Sequence, residues 1–166
     1  MKILGIIFLV FAGGMVGTIF WRRSLEHIKF LEAYISLILE IKTEIKYTQK
    51  TLFQILKGYG SDKFLSHVVD KCLEFSENCS FEIAWQKAFS GLCKDYFLSS
   101  EEENLVKNFA LKLGSSDISS QENYCDYNIS LVKPFLEMAL KNKAKNKNLP
   151  IVLGFCISLI ISIVLI

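Results

Sequence analysis

Apolar and polar residues divide the chain into two uncharged ends and a mixed middle. Residues 3–21 form a run of nineteen without a charged side chain, and residues 151–166 form a second run of sixteen. At about 1.5 Å per residue, the first run is long enough to cross a hydrocarbon core of about 30 Å, and the second is somewhat short. The pattern predicts an N-terminal transmembrane anchor at 1–23 and a C-terminal transmembrane segment at 149–166.

Each end has an alternative interpretation. The first run could belong to a cleaved signal peptide, but Lys2 alone forms its positive region and no small-x-small cleavage site precedes Trp21. For the second run, local thinning of the bilayer or a re-entrant segment is the alternative to a full crossing. The sequence favours a retained anchor at the N-terminus and a span at the C-terminus.

Basic residues set the predicted orientation. Arg22 and Arg23 follow the first run, and four lysines precede the second: Lys141, Lys143, Lys145 and Lys147. Cytoplasmic flanks of membrane spans are rich in Lys and Arg, so the central region 24–148 is predicted to be cytoplasmic. Lys2 argues weakly for the opposite orientation. The lysine run is compatible with contact with anionic headgroups of membrane lipids, and the alternative is a solvated helix end.

The central region has the periodicity of helices. From Ser24 to about Lys57 the pattern is helical, and Gly58 is suited to a left-handed position after that helix. The apolar stripe of this helix steps by three and four residues through Ile28, Leu31, Ile35, Ile38, Ile41 and Ile45. Further helices are predicted after Ser61 and after Ser80, the second of them reaching Leu92, and Ser100 with Glu103 has the spacing of a capping box for another. No run has the alternation of a strand. The sequence predicts an all-α fold, an antiparallel bundle of about five or six helices with transmembrane helices at both termini.

A glycine and several small polar residues, KLGSSDISSQ at 112–121, separate the last two helices. Gly114 is predicted to adopt the left-handed conformation that ends one helix, and Ser115 or Ser116 is predicted to cap the final helix. Ser119 with Glu122 offers a second capping-box register just inside that helix. The final helix is predicted over 118–147 with a kink at Pro134. Its predicted inward residues are Ile129, Val132, Leu136, Ala139 and Leu140.

Motifs that carry chemistry are missing from the sequence. His27 and His67 stand in unrelated segments and are interpreted as surface residues, and the carboxylates at 101–103 as partners of a helix dipole. The five cysteines show no CxxC spacing and are interpreted as free thiols. No catalytic residue, metal site, cofactor or small-molecule substrate is predicted. The net charge of +2 gives no indication of nucleic-acid binding.

The uncharged runs contain small residues at helical spacing. Gly13 and Gly17 form a GxxxG pair in the first run, and the second carries Gly154, Ser158 and Ser162. Small residues allow helix backbones to approach closely in lipid, which predicts packing between the spans or with another membrane protein. The alternative is that small residues are simply common in membrane helices.

Several segments together carry a resemblance to a known family. They are EIKYTQKTL at 44–52, AWQKAF at 84–89, LGSSDISSQ at 113–121 and the terminal LGFCISLIISIVLI. On these segments the chain resembles the stage III sporulation protein AB family over nearly its whole length. It departs from the expected pattern at 56–63, where no proline marks the turn.

The resemblance implies a non-enzymatic platform in the machine that links mother cell and forespore, and thus a requirement for spore development. The family's helical domain is similar to the F-type platform proteins of type II secretion and type IV pilus systems. The implied partners are a secretion-type ATPase like stage III sporulation protein AA, called here the AA-like ATPase, and other channel components. Whether the chain also forms homo-oligomers is left open. The implied location is the mother-cell outer forespore membrane. The alternatives are a membrane-bound enzyme whose site forms only in the fold and a small channel-forming protein.

Candidate site residues follow from the matched segments. Ser116, Asp117 and Gln121, next to Gly114, are candidates for partner binding. Trp85 is predicted to anchor the core, with partner binding as the alternative.

Overall fold

A computed structural model describes residues 2–48, 50–60, 63–114 and 116–145, and for residues 2–18, 20 and 93 it describes the backbone alone. These residues form seven α-helices and two 3₁₀ turns. The α-helices are α1 (Lys2–Tyr47), α2 (Leu52–Lys57), α3 (Ser66–Glu74), α4 (Phe81–Phe89), α5 (Leu92–Tyr96), α6 (Ser100–Asn108) and α7 (Ile118–Lys145), and the 3₁₀ turns are Phe75–Glu77 and Phe109–Lys112. The described part of the chain contains no strand, so the predicted all-α fold is confirmed.

The two longest helices, α1 and α7, form an antiparallel pair. Lys42 Nζ lies 2.6 and 2.7 Å from the two carboxylate oxygens of Asp126, and Lys46 Nζ lies 3.4 Å from Glu122. From the first contact to the second, the residue number rises from 42 to 46 on α1 and falls from 126 to 122 on α7, so the two helices run in opposite directions. The start of α1 and the end of α7 therefore lie at one end of the bundle, called here the anchor end. The turns at 48–51 and 113–117 lie at the other end, called the distal end.

The core lies between α1, α7 and the shorter helices. The predicted stripe of α1 is confirmed, because Ile28, Leu31, Ile38 and Ile41 are buried. At the centre, Trp85 stacks on Phe89 with 4.2 Å between ring centroids. Apolar burial of this kind supplies most of the stability of short helices such as α3 and α4, which would be marginal alone.

Among residues described with their side chains, no helix is long and apolar enough to cross a membrane. The predicted spans at 1–23 and 149–166 fall outside that description, apart from residues 19 and 21–23.

The predicted helix over 24–57 is continuous with the first run, as expected, but it does not reach Lys57. The α1 helix ends at Tyr47, and α2 begins after Thr51, whose side chain accepts a hydrogen bond from the Gln54 amide while the Gln54 side chain accepts one from the Thr51 amide. This capping box satisfies the first amides of a new helix and so allows the break. Gly58 has φ −78°, so the predicted left-handed conformation is wrong there.

The predicted third helix is also divided. Ser80 occupies the N-cap of α4, but α4 ends at Phe89, and Gly91 with φ +86° leads into α5. Leu92, predicted to continue the earlier helix, therefore lies on α5. The predicted cap Ser61 lies outside the described residues, and α3 begins only at Ser66. These breaks raise the number of described helices above the predicted five or six.

The start of α6 is shifted by one residue from the predicted capping box. Ser99, not Ser100, is the N-cap, and its hydroxyl accepts a hydrogen bond from the amide of Glu102. The Glu102 carboxylate in turn accepts one from the Ser99 amide at 2.7 Å. The shifted register directs Glu102 into the protein, where it is buried.

The final helix continues through Pro134. Of its predicted inward residues, Ile129 and Val132 are buried, whereas Leu140 is 40% exposed. The 3₁₀ turn before α7 packs on its first turns, since Tyr124 stacks on Phe109. Leu140 lies more than four turns beyond that contact, at about 3.6 residues per turn, which accounts for its exposure.

Candidate functional site

A tight turn between Leu113 and Ile118 connects α6 and its 3₁₀ extension to α7. Gly114 has φ +80°, which confirms the predicted left-handed conformation. The Gly114 amide donates to Gln121 Oε1 at 3.1 Å, and Gln121 Nε2 donates to the Ser116 carbonyl at 2.7 Å. Gln121 thus reaches back from the first turn of α7 and fixes the turn that precedes it.

Asp117 begins α7. Its Oδ2 atom accepts a hydrogen bond from the Ser120 amide at 3.1 Å, and hydrogen bonds from the Ser120 side chain and backbone lower the pKa of its carboxyl group. An ionised carboxylate here is also favoured by the positive end of the helix dipole. The predicted cap at Ser116 is therefore wrong, and the alternative cap Ser115 lies outside the described residues. In the second predicted register, Glu122 instead contacts Lys46.

A groove of about 460 Å³ opens at the distal end beside this turn. It joins the end of α1, the start of α2, the start of α4 and the first turn of α7. Its lining residues are Ile45, Thr48, Lys50, Thr51, Leu52, Phe53, Phe81, Gly114, Ile118 and Gln121. Here the distal groove means this set of residues.

The surface of the distal groove is mainly apolar. Phe53 and Phe81 form an edge-to-face pair with 5.4 Å between ring centroids, and Ile118 is 54% exposed at the margin. The charged residue of the lining, Lys50, lies 3.0 Å from Glu44 and is neutralised there. Apolar clefts with few polar groups are typical of binding sites.

Gly114 is required where the turn approaches α2. A Cβ atom on this residue would lie 3.3 Å from Leu52 Cδ1, and its positive φ is unfavourable for any L side chain. The glycine therefore shapes both the turn and the adjoining wall of the groove.

The structure separates the candidate residues. Gln121 lines the distal groove, and Ser116 and Asp117 form the turn beside it. Trp85 is fully buried, and its Nε1 donates to the Val106 carbonyl at 2.9 Å. This environment is that of a core residue. The packing candidates Gly13 and Gly17 lie on α1, where the backbone alone is described, and Gly154, Ser158 and Ser162 lie outside the described residues.

Sequence reasoning missed the aromatic part of the groove. Phe53 and Phe81 each follow a helix cap, Thr51 and Ser80, and lie in the first turn of a short helix. An aromatic residue beside a cap is a weak signal by itself. Their meeting depends on how α2 and α4 pack, which no local pattern encodes.

A second, larger groove of about 720 Å³ lies between α4 and α6. Its charged lining residues are engaged, since Lys107 lies 2.6 Å from Glu103 and Lys87 contacts the Cys79 sulfur at 3.4 Å. Two of its lining residues, Gln86 and Lys87, lie in a segment that carries the family resemblance, whereas eight of the ten residues that line the distal groove lie in such segments. The distal groove therefore has the stronger connection to those segments.

The titratable groups of the core form structural contacts. His27, predicted to be a surface residue, lies 2.9 Å from the buried Glu102, and His67 lies 2.9 Å from the Tyr96 hydroxyl. Burial raises the pKa of the Cys72 thiol to about 12 and that of Cys125 to about 11, which makes both poor nucleophiles at neutral pH. Among the described residues, no group of three His, Cys, Asp or Glu side chains is placed to hold a metal ion.

The fold defines a helical bundle domain with a mainly apolar cleft beside the LGSSDISSQ turn. The chain belongs to the stage III sporulation protein AB family, whose sequence pattern matches residues 2–166. The resemblance found on the sequence is thus confirmed, and the chain has a role in stage III of sporulation. No curated protein and no solved structure shows significant similarity to it.

Proposed function

We propose that this protein is a membrane-anchored, non-enzymatic platform of the complex that links mother cell and forespore. In this proposal both termini hold the chain in the mother-cell outer forespore membrane, and the helical domain extends into the cytoplasm. The protein acts by binding other components and holding them at the membrane. The proposal rests on the observation that the anchor end and the distal groove lie at opposite ends of the bundle.

The antiparallel pairing of α1 with α7 supports two anchors on one side of the domain. The α1 helix is continuous from Lys2, within the first uncharged run, to Tyr47. The end of α7 at Lys145 precedes the second uncharged run by a few residues. Two neighbouring spans leaving the same end would fix the domain relative to the bilayer, because rotation about a single span is then prevented.

Helical register supports packing between the two spans. Lys42, which contacts Asp126 of α7, lies about seven turns after Gly17 and about eight turns after Gly13 at 3.6 residues per turn. The GxxxG pair therefore falls on the side of α1 that faces α7 farther along. Replacement of Gly17 by Leu is expected to weaken this packing, measured as lower association of the two spans in a membrane assay.

The distal groove is the proposed docking site for a cytoplasmic component, the AA-like ATPase. A few apolar side chains that fill a preformed pocket often supply most of the binding energy of a protein interface. The groove offers such a pocket, with Leu52, Phe53 and Phe81 in its lining and Ile118 at its margin. Its distance from the anchor end leaves it accessible to a partner in the cytoplasm.

A membrane-bound enzyme would require convergent titratable groups in a cleft. The distal groove instead carries Lys50, which is paired with Glu44. A small channel-forming protein would leave the folded domain of 24–148 without a role. The platform function accounts for both the anchors and the domain.

The test uses the full chain, solubilised in detergent and mixed with the AA-like ATPase. Ile118→Glu places a charge at the exposed margin of the groove and is expected to lower ATPase capture by about tenfold or more. Leu39→Glu, at a 47% exposed position on α1, is the matched control and should leave capture unchanged. Equal capture by both variants would remove the groove from the proposal, and no capture by the unaltered chain would remove the ATPase.

A further inference from the structure

The outer face of α7 carries a line of exposed apolar residues. Tyr127, Leu131 and Met138 are 58%, 36% and 60% exposed, and Pro134 is also exposed between them. Their spacing of four, three and four residues holds them on one side of the helix for about three turns. Here the α7 ridge means these four residues.

The α7 ridge faces away from the core. The buried residues of α7, Cys125, Asn128, Ile129 and Val132, occupy the opposite side of the helix. Single exposed apolar residues are ordinary, but an aligned set with four-three spacing is the pattern by which one helix packs along another. A surface helix without a partner on this side would be expected to have polar residues at these positions.

Charge changes along the same helix. In its first half, Glu122 and Asp126 are paired with lysines of α1. In its second half the charged residues are Lys133, Glu137, Lys141, Lys143 and Lys145, and none of them forms an ion pair among the described residues. Lys141 and Lys145 continue the spacing of the ridge, so the apolar line ends in unneutralised positive charge.

From this arrangement we infer that the α7 ridge binds an amphipathic helix of another protein. The apolar side of that helix would cover Tyr127, Leu131 and Met138. Its carboxylates would lie against Lys141 and Lys145, where opposite charge steers association and selects orientation. The inference concerns a different face from the distal groove and does not depend on which component binds there.

A second copy of the chain fits the ridge less well. Parallel self-pairing would bring Lys141 and Lys145 against the same residues of the other copy, and like charges at a helix seam destabilise the pair. Antiparallel self-pairing would point the two anchor ends in opposite directions, which the anchoring in one membrane that we propose above excludes. A lipid surface could contact the lysines at the anchor end, but the ridge extends away from that end along the helix.

The test measures peptide binding to the full chain in neutral detergent by fluorescence anisotropy. One peptide is a helix about three heptads long with leucines at four-three spacing and glutamates beside them, and its twin carries lysines in place of the glutamates. The acidic peptide is expected to bind about tenfold or more tightly than its twin, with an affinity that falls as salt rises. Leu131→Ser and the pair Lys141→Glu with Lys145→Glu should each lower its affinity by about tenfold.

Matched variants locate the binding. Leu39→Ser, on α1, and Ile118→Glu, at the distal groove, should leave the affinity for the acidic peptide unchanged. Equal affinity for the two peptides, or no binding of the acidic peptide at about 100 μM, would overturn the inference. Self-association of the full chain that Leu131→Ser abolishes would assign the ridge to a second copy and overturn it as well.

Discussion

The imidazole of His27 lies 2.9 Å from the carboxylate of Glu102, and this contact joins α1 to the first turn of α6. Glu102 is 5% exposed, and its second carboxylate oxygen accepts the amide hydrogen of Ser99 at 2.7 Å. One buried carboxylate thus both caps a helix and holds that helix against the longest element of the bundle.

Glu102 is expected to make stability depend on pH in the acid range. Burial alone would raise the pKa of this carboxyl group, but hydrogen bonds from His27 and Ser99 outweigh burial and lower it below its ordinary value of 4.5. A lowered pKa in the folded state means that the stabilisation is present above the unfolded pKa and is lost as pH falls through the folded pKa. Thermal unfolding of the full chain in detergent, followed by circular dichroism between about pH 3 and pH 7, measures this dependence.

Glu102→Gln is the variant that tests this origin. It should destabilise the protein by about 1–3 kcal/mol at neutral pH, because a charge-assisted hydrogen bond is lost in a buried site. The difference from the unaltered chain should shrink as pH falls below about 4.5. A difference that stays constant through the acid range would contradict the assigned role.

The capping register at the start of α6 can be tested with adjacent serines. Ser99→Ala removes the side chain that accepts from the Glu102 amide and should lower the free energy of unfolding by about 1 kcal/mol. Ser100→Ala, one residue inside the helix, is the control and should have little effect or a small stabilising one, since Ala has the higher helix propensity. A larger loss of stability in Ser100→Ala than in Ser99→Ala would instead support the capping box of Ser100 and Glu103 that the sequence predicts.

Two left-handed glycines provide a matched pair. Gly91→Ala should destabilise the protein by about 1 kcal/mol, because φ is +86°, a conformation that L side chains disfavour. No steric clash adds to this cost, since nothing lies within 4 Å of the added Cβ. Gly114→Ala carries the same backbone penalty and also crowds Leu52 at 3.3 Å, so its loss of stability should be larger. Denaturant unfolding of both variants gives the comparison. Equal losses would mean that Leu52 moves aside freely.

Replacement of Tyr34 by phenylalanine is expected to stabilise the protein. Its side chain is fully buried among Phe30, Phe89 and Phe109, and its hydroxyl has no hydrogen-bond partner among the described residues. An unpaired buried hydroxyl is unfavourable, so Tyr34→Phe should raise the free energy of unfolding by about 1 kcal/mol.

Tyr96→Phe is the control for Tyr34→Phe. The Tyr96 hydroxyl lies 2.9 Å from His67, and its removal should lower the free energy of unfolding by about 1 kcal/mol. The same urea titration reports both variants. A loss of stability in Tyr34→Phe equal to that of Tyr96→Phe would show that the Tyr34 hydroxyl is bonded after all.

Thiol labelling is expected to distinguish three cysteines. Cys79 is half-buried, whereas Cys72 and Cys125 are fully buried and have raised thiol pKa values. At pH 7 a maleimide should modify Cys79 of the folded chain, and should reach the other two only after unfolding, as read by peptide mass spectrometry. In intact cells an impermeant maleimide should leave Cys79 unmodified if the central domain is cytoplasmic. Its modification before lysis would reverse the proposed orientation.

Local patterns predicted the helices but not where some of them break. The steps of three and four residues from Ile28 to Ile45 describe a face that is buried in the structure. The break after Tyr47 went unpredicted although Thr51 and Gln54 already had the spacing of a capping box. No glycine or proline interrupts residues 24–57, so no helix breaker marked this position in the sequence.

The groove and the α7 ridge illustrate a different limit. Gln121 was a candidate from its place in the turn, whereas Phe53 and Phe81 were not, because they come from separate helices. The exposure of Met138 and Leu140 was equally hidden, since periodicity identifies an apolar face but not whether another element covers it.

The sequence by itself determined the helical class, the uncharged ends and the left-handed turn at Gly114, because periodicity, charge and glycine conformation act over a few residues. Only the tertiary structure decided that Ser99 rather than Ser100 caps α6. Both serines have a glutamate three residues later, so local chemistry hardly separates the two registers. The register with Glu102 facing inward brings its carboxylate to His27, and a contact across 75 residues is a property of packing, not of local sequence.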